Sequence, residues 1–361
     1  MLSFTYETLP ARVVFGAGVV NTLPAELDRM GVKRALILST QEQWGAATMV
    51  AALIGERMVG LYDRAIMHVP VEIAEAARAE AKTLEADVCV AIGGGSTTGL
   101  AKAVALTSGL PIVAIPTTYA GSEMTPIWGM TADGVKKTGR DVRVLPRTVI
   151  YDPELSYGLP VEMSVTSGLN AIAHCVEGLY SKDANPIVSM MAEDGIRAIA
   201  RALPKIMRNP GDAEARGEAL YGAWLGGAVL GAVGMALHHK LCHTLGGSFS
   251  LPHAETHTVV LPHAMAYNAP AAPEAMNRVV RALNAAGLPA ADAASGMWDL
   301  AAGLHAPMSL EAIGMLRRNL EKAADLAVEN PYWNPRPVTR GGVRELLEDA
   351  FHGKRPGPTK P

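Results

Sequence analysis

The chain has little that would tie it to the cell exterior or to a charged polymer. Three cysteines, Cys89, Cys175 and Cys242, lie in apolar segments with no CxxC pair. They exclude a disulfide scaffold and read as reduced thiols of a cytoplasmic protein. Aromatics make up 5 % of residues against 49 % hydrophobic, so the core is aliphatic. The net charge is −3 with no block of one sign, which argues against nucleic acid or an anionic membrane as partner. The opening stretch, MLSFTYETLPARVVFG, has no basic segment followed by an apolar one, so no secretion signal is expected. Residues 221–237 form a run of 17 without charge. That is short of the roughly twenty a bilayer requires, so a buried helix is expected and no membrane span.

What is present divides the chain in two. At 361 residues a single core is improbable. Up to about residue 157, short apolar runs alternate with amphipathic ones. Strands are expected at RALILST (34–40), DVCVAIGG (87–94), PIVAIPTT (111–118) and TVIYDP (148–153), and helices at 71–86 and 98–108. This alternation predicts an α/β domain over 1–157, Rossmann-like, with a mostly parallel sheet. From 158 to 361 the texture is rich in alanine and leucine with helical period, which predicts an all-α domain.

Two features carry chemistry. The first is the turn Gly93-Gly94-Gly95-Ser96, between an apolar strand and a helix. Its backbone N–H groups can approach a phosphate where the helix dipole favours negative charge. A second polar turn, with Thr117, Thr118 and Ser122, ends the next strand, and two such turns side by side suit a dinucleotide. Where an acidic residue would read the adenosine ribose, the chain has Ser39, so neither NADH nor NADPH is excluded. The second feature is histidine. Six of the ten fall in HHKLCHTLGGSFSLPHAETHTVVLPH, from His238 to His263, and His174 lies upstream in NAIAHCVEG. Pairs four apart, His239 with His243 and His253 with His257, share helix faces, and imidazole both moves protons near neutrality and binds metals.

The order GGGSTTGLAK, IPTTYAGSE, NAIAH, HHKLCHTLGGSFSLPH, PHAMAYN resembles the iron-containing alcohol dehydrogenase superfamily, whose architecture is shared with dehydroquinate synthase. The resemblance implies a dinucleotide domain facing a helical catalytic domain, with a divalent cation held by one Asp and three His. Carried onto this chain, those positions are Asn170, His174, His239 and His253, and a further cleft histidine is His243. Asn170 in place of Asp, and Gly99 where the family's glycine turn continues to Asp, resemble the maleylacetate reductase branch. That branch reduces the C=C bond of 2-maleylacetate to 3-oxoadipate in the breakdown of aromatic compounds. It implies a cytoplasmic homodimer using NADH or NADPH on a small dicarboxylic keto-acid, with no required metal. Three imidazoles and an amide leave a dication's charge uncompensated, in keeping with that expectation. His243 is then the first candidate for proton donor, with His253, His239 and His174 around it. Lys240, His238, His257, Asn170 and the more distant Arg336 are candidates to meet the substrate. A metal-dependent alcohol or aldehyde dehydrogenase, a dehydroquinate synthase-like lyase and a non-catalytic nucleotide-binding module remain open alternatives.

Overall fold

The computed structural model describes Phe4, Tyr6, Leu9 and residues 12–132 and 135–357. It divides into two compact units, one of them Thr8–Leu159 and the other taking the chain from Pro160 onward. The division falls two residues beyond the expected 157/158.

In the first unit six strands make one parallel sheet: β1 (Arg12–Phe15), β2 (Ala35–Leu38), β3 (Met58–Tyr62), β4 (Val88–Gly93), β5 (Ile112–Pro116) and, after a separate antiparallel hairpin β6 (Ile127–Ala132) and β7 (Val135–Arg140), β8 (Thr148–Tyr151). Their order is β1-β8-β5-β4-β2-β3. Four helices cover the sheet: α1 (Leu23–Met30), α2 (Trp44–Ile54), α3 (Val71–Thr83) and α4 (Gly95–Ser108). Strand residues alternate between two cores, as the two-residue period requires. Leu36, Leu38, Cys89 and Ala91 pack with α3 and α4, whereas Ala35, Ile37, Val88, Val90 and Ile92 pack with α1 and α2. Burial on both faces explains why β2, β4, β5 and β8 read as continuous apolar runs. The chain moves from β2 to β3 on one side and from β4 to β5 on the other. The carboxyl ends of β2 and β4 therefore flank a topological switch point, where open α/β sheets bind ligands.

Strands β1 and β3 and the hairpin were not expected. β1 and β3 are edge strands with partly exposed side chains, so their apolar signal is diluted. The expected helices shift as well. α3 stops at Thr83, before Glu85 at φ 46°, and α4 starts at Gly95, inside the glycine turn.

The second unit is helical: α5 (Val161–Tyr180), α6 (Pro186–Arg208), α7 (Ala213–Ala232), α8 (Leu237–Phe249), α9 (His253–Asn268), α10 (Pro273–Ala285), α11 (Ala293–Gly303), α12 (Leu320–Val328) and α13 (Arg340–Phe351). The run 221–237 is not one helix. It breaks after Ala232 and resumes at Leu237 with a bend of 95°. No single helix among the described residues is long and apolar enough to cross a membrane, although α7 and α8 together pass that test by length and composition.

Candidate active site

The first unit brings the two polar turns together. The Thr117 N–H donates to the Gly93 carbonyl at 3.1 Å, and a Cβ on Gly94 would lie 3.0 Å from the Thr118 side chain. Gly93 has φ 147°, which only glycine adopts readily, and a Cβ there would meet Thr97 Oγ1 at 2.5 Å. Gly94 is the N-cap of α4 and no side chain caps that end, so the first N–H groups of the helix keep their capacity for an anion. Ser39, Thr97 and Thr117 are buried with hydroxyls that meet no partner, all at the carboxyl edge of the sheet. Ser122 is already engaged. Its carbonyl and hydroxyl accept from the ammonium of Lys102, at 2.6 and 3.2 Å, so it anchors the second turn as well. Lys102 is wholly buried and also donates to Thr125 Oγ1 and the Ile127 carbonyl. Burial pushes its pKa down to about 7. Gly99 has a packing reason as well: a Cβ there would lie 2.9 Å from Val69 Cγ2, so the space for the family's aspartate is filled.

The second unit gathers the histidines. α5 supplies Asn170 and His174, α8 supplies His238, His239 and His243, and α9 supplies His253 and His257. The rings of His174 and His239 stand 5.1 Å apart, His239 and His257 4.8 Å, and His253 and His257 4.3 Å. Buried polar atoms without partners converge here: Asn170 Oδ1, His174 Nδ1, His239 Nε2 and both ring nitrogens of His257. Buried polar atoms are almost always paired, so this basin awaits a ligand's polar groups. Burial, reinforced by neighbouring rings, holds His174 and His257 well below the usual histidine pKa, so both are neutral near pH 7.

Several expected roles change. His238 is wholly buried, with Nε2 3.0 Å from the His257 carbonyl, so it braces α8 against α9 and is not free to meet a substrate carboxylate. Arg336 donates to the Tyr267 carbonyl at 2.9 Å and lies 4.3 Å over the Tyr267 ring, which makes it a tie for its own strap. His243 lies on the exposed rim, its Nδ1 3.0 Å from the Tyr332 hydroxyl and its ring edge-on to His239 at 6.1 Å. Lys240 is half-buried on the same helix and takes part in no ion pair among the described residues. Two residues went unnoticed. Glu177, three places after His174, is fully buried and accepts from His239 Nδ1 at 2.7 Å. A lone carboxylate in the apolar run HCVEGL was the available signal. Tyr332 sits in an aperiodic strap 89 residues beyond its partner and offered none.

His263, away from the basin on α9, has a buried Nε2 with no partner, and burial pushes its pKa down to about 4 from 6.5. His238 is likewise pushed down to about 4. The folded chain keeps both neutral while the unfolded chain takes protons first, so stability is present above pH 6.5 and lost as pH falls toward 4. Each such ring contributes a slope of about 1.4 kcal/mol per pH unit in that window. Thermal melts across this range should show the loss, and His263→Gln should lower the slope by about one ring's share; an unchanged slope would contradict a neutral buried ring at 263.

Residues 10–153 match the iron-containing alcohol dehydrogenase family, and residues 164–351 match the C-terminal part of the Fe-containing alcohol dehydrogenase family. The chain is 61 % identical to a maleylacetate reductase of Burkholderia cepacia over 356 residues, covering 99 % of this chain and 100 % of that one. It is 59 % identical to a maleylacetate reductase of Sphingobium indicum over 355 residues, 98 % and 99 % of the two chains. The chain belongs to the iron-containing alcohol dehydrogenase family, on its maleylacetate reductase branch. The crystal structure of maleylacetate reductase from Agrobacterium tumefaciens superposes with a TM-score of 0.94 at 51 % identity, over 99 % of this chain and 100 % of that one. Enzymes of this family use NAD(P)H.

The family name carries iron, and a divalent cation requires several donor atoms close together. Among the described residues, the histidines that bring three ligand atoms within 4.8 Å of one another are His238, His239 and His257. The family positions His174 and His253 flank that group, His174 with its ring 5.1 Å from His239 and His253 with its ring 4.3 Å from His257. Within the group, His238 Nε2 is bound to a carbonyl and His239 Nδ1 to Glu177. Among the described residues, the carboxylate that meets these histidines is Glu177, which accepts from the start of α8 and from His239 Nδ1. Neutral donors alone leave a buried dication uncompensated. A cation held here would have neutral imidazoles and an amide as its nearest donors, with Glu177 bound to His239 behind them.

Proposed function

We propose that this chain reduces the C=C bond of 2-maleylacetate to give 3-oxoadipate, with NADH or NADPH as hydride donor and no required metal. The observation that carries the reading is the convergence of buried polar atoms without partners, Asn170 Oδ1, His174 Nδ1, His239 Nε2 and the His257 ring nitrogens, in a chain whose relatives are maleylacetate reductases. Hydride adds to the alkene carbon β to the ketone, negative charge develops on the ketone oxygen, and a proton must then reach the adjacent carbon. Burial, with Glu177 nearby, raises the Tyr332 pKa, so its phenol stays protonated. Where that O–H donates to His243 Nδ1, a proton on His243 Nε2 is a donor suited to the developing oxyanion. Asn170, His174, His253 and His257 orient the keto-acid, and Lys240 is the cation available to a carboxylate. A cytoplasmic homodimer belongs to the same proposal, supported by three buried free thiols and by the family resemblance. The test is absorbance at 340 nm with NADH and freshly generated maleylacetate: stoichiometric NADH loss is expected, and a flat trace would reject the reading.

Cofactor choice follows from Ser39. Both NADH and NADPH should support turnover, and Ser39→Asp should penalise NADPH selectively by setting a carboxylate near the 2′-phosphate. Equal loss with the two cofactors would show that residue 39 does not face the ribose.

A further inference from the structure

Among the described residues, Glu177 is the carboxylate that meets the histidine cluster, and it meets the backbone as well. Its Oε1 accepts from the His238 N–H at 2.8 Å. Its Oε2 accepts from the Ala236 N–H at 2.8 Å, the His239 N–H at 3.4 Å and His239 Nδ1 at 2.7 Å. These N–H groups belong to the start of α8, which no local side chain caps. A residue 59 positions away thus does what an N-cap does, and the same oxygen grips the ring two residues into the helix.

The neighbouring ring agrees with this assignment. His238 Nε2 faces the His257 carbonyl, which can only accept, so its proton is on Nε2 and its Nδ1 is bare. That bare Nδ1 lies 3.4 Å from His239 Nδ1, which is tolerable only if the latter carries a hydrogen. Two acceptors therefore face His239 Nδ1, and its Nε2 remains unpartnered and buried.

We propose that Glu177 is a positioning residue whose single carboxylate starts α8 and holds His239 as the Nδ1–H tautomer, presenting Nε2 to the basin as a bare acceptor. A bare Nε2 receives a hydrogen from a ligand hydroxyl or a neighbouring N–H and offers none to an oxyanion. Donation to the substrate oxygen then falls to groups other than His239, the His243–Tyr332 pair first among them. This deepens the proposed reduction and rests on it for its effect on kcat, whereas the tautomer can be read without any substrate.

The experiment is a long-range ¹H–¹⁵N spectrum of histidine-labelled, chelator-treated full-length protein, with His239 assigned by its loss in His239→Gln. A protonated Nδ1 and bare Nε2 are expected at neutral pH; a proton on Nε2 overturns the proposal. In Glu177→Gln an amide NH₂ must oppose one of these N–H donors whichever way it is turned. His239 should then lose its single tautomer, the Ala236 and His238 amides should exchange faster, and kcat should fall about 10- to 100-fold with a smaller change in KM. Retention of the pure Nδ1–H form, or an unchanged kcat, overturns it. If that variant does not fold, the wild-type spectrum still decides. Should wild type fail to oxidise NADH with maleylacetate, the reduction reading falls while the tautomer result stands on its own.

Discussion

His243→Ala is expected to lower kcat with maleylacetate by about 10²–10⁴-fold, the usual contribution of a general acid–base group. The ring sits on the exposed rim of the helical unit, so its removal leaves no buried cavity and the fold should be kept. Its Nδ1 lies 3.0 Å from the Tyr332 hydroxyl, a contact that orients the ring. Loss of the ring as a donor acts on the oxyanion formed after hydride arrives, so kcat should fall far more than KM rises. Tyr332→Phe should show a smaller loss in the same direction, because it frees the ring without removing it. The same preparation tests the metal. With neutral donors in the basin and Glu177 already committed, chelator treatment should leave the wild-type rate nearly intact. Loss of activity on chelation, restored by Fe²⁺ or Zn²⁺, would overturn the metal-free reading and favour a metal-dependent alcohol or aldehyde dehydrogenase.

Gly94→Val should abolish measurable binding of NADH while the helical unit keeps its fold. A Cβ on Gly94 is already 3.0 Å from both Thr118 Cγ2 and Oγ1, so valine's methyl groups must push the two polar turns apart. They would also cover the uncapped N–H groups that open α4, where the dipole favours a pyrophosphate. Calorimetric titration with NADH reads the affinity, and far-UV circular dichroism confirms the retained helices. Wild-type affinity in this variant would remove the glycine turn from the cofactor site.

The sheet and the glycine turn were legible because the signals are local. Val88–Gly93 is apolar without interruption, as a doubly covered strand must be, and glycine followed by a helical run marks a turn wherever it occurs. The crowding of His238, His239, His243, His253 and His257 was legible for the same reason, since helical spacing places four-apart residues on one face.

What each histidine does was decided by partners distant in sequence. Burial by α5 and α9, with a carbonyl at His257, turned His238 from a ligand contact into a brace. Tyr267 took Arg336, and Lys102 engaged Ser122. The same is true of the bend that ends α7. Residues 221–237 read as one apolar helix because nothing in their own order asks for a break. The carboxylate of Glu177, from another helix, accepts the N–H groups that a new helix start exposes. Side-chain periodicity is a property of neighbours along the chain. Hydrogen-bond partnership in a buried site is a property of neighbours in space, and only the packed tertiary structure assigns it.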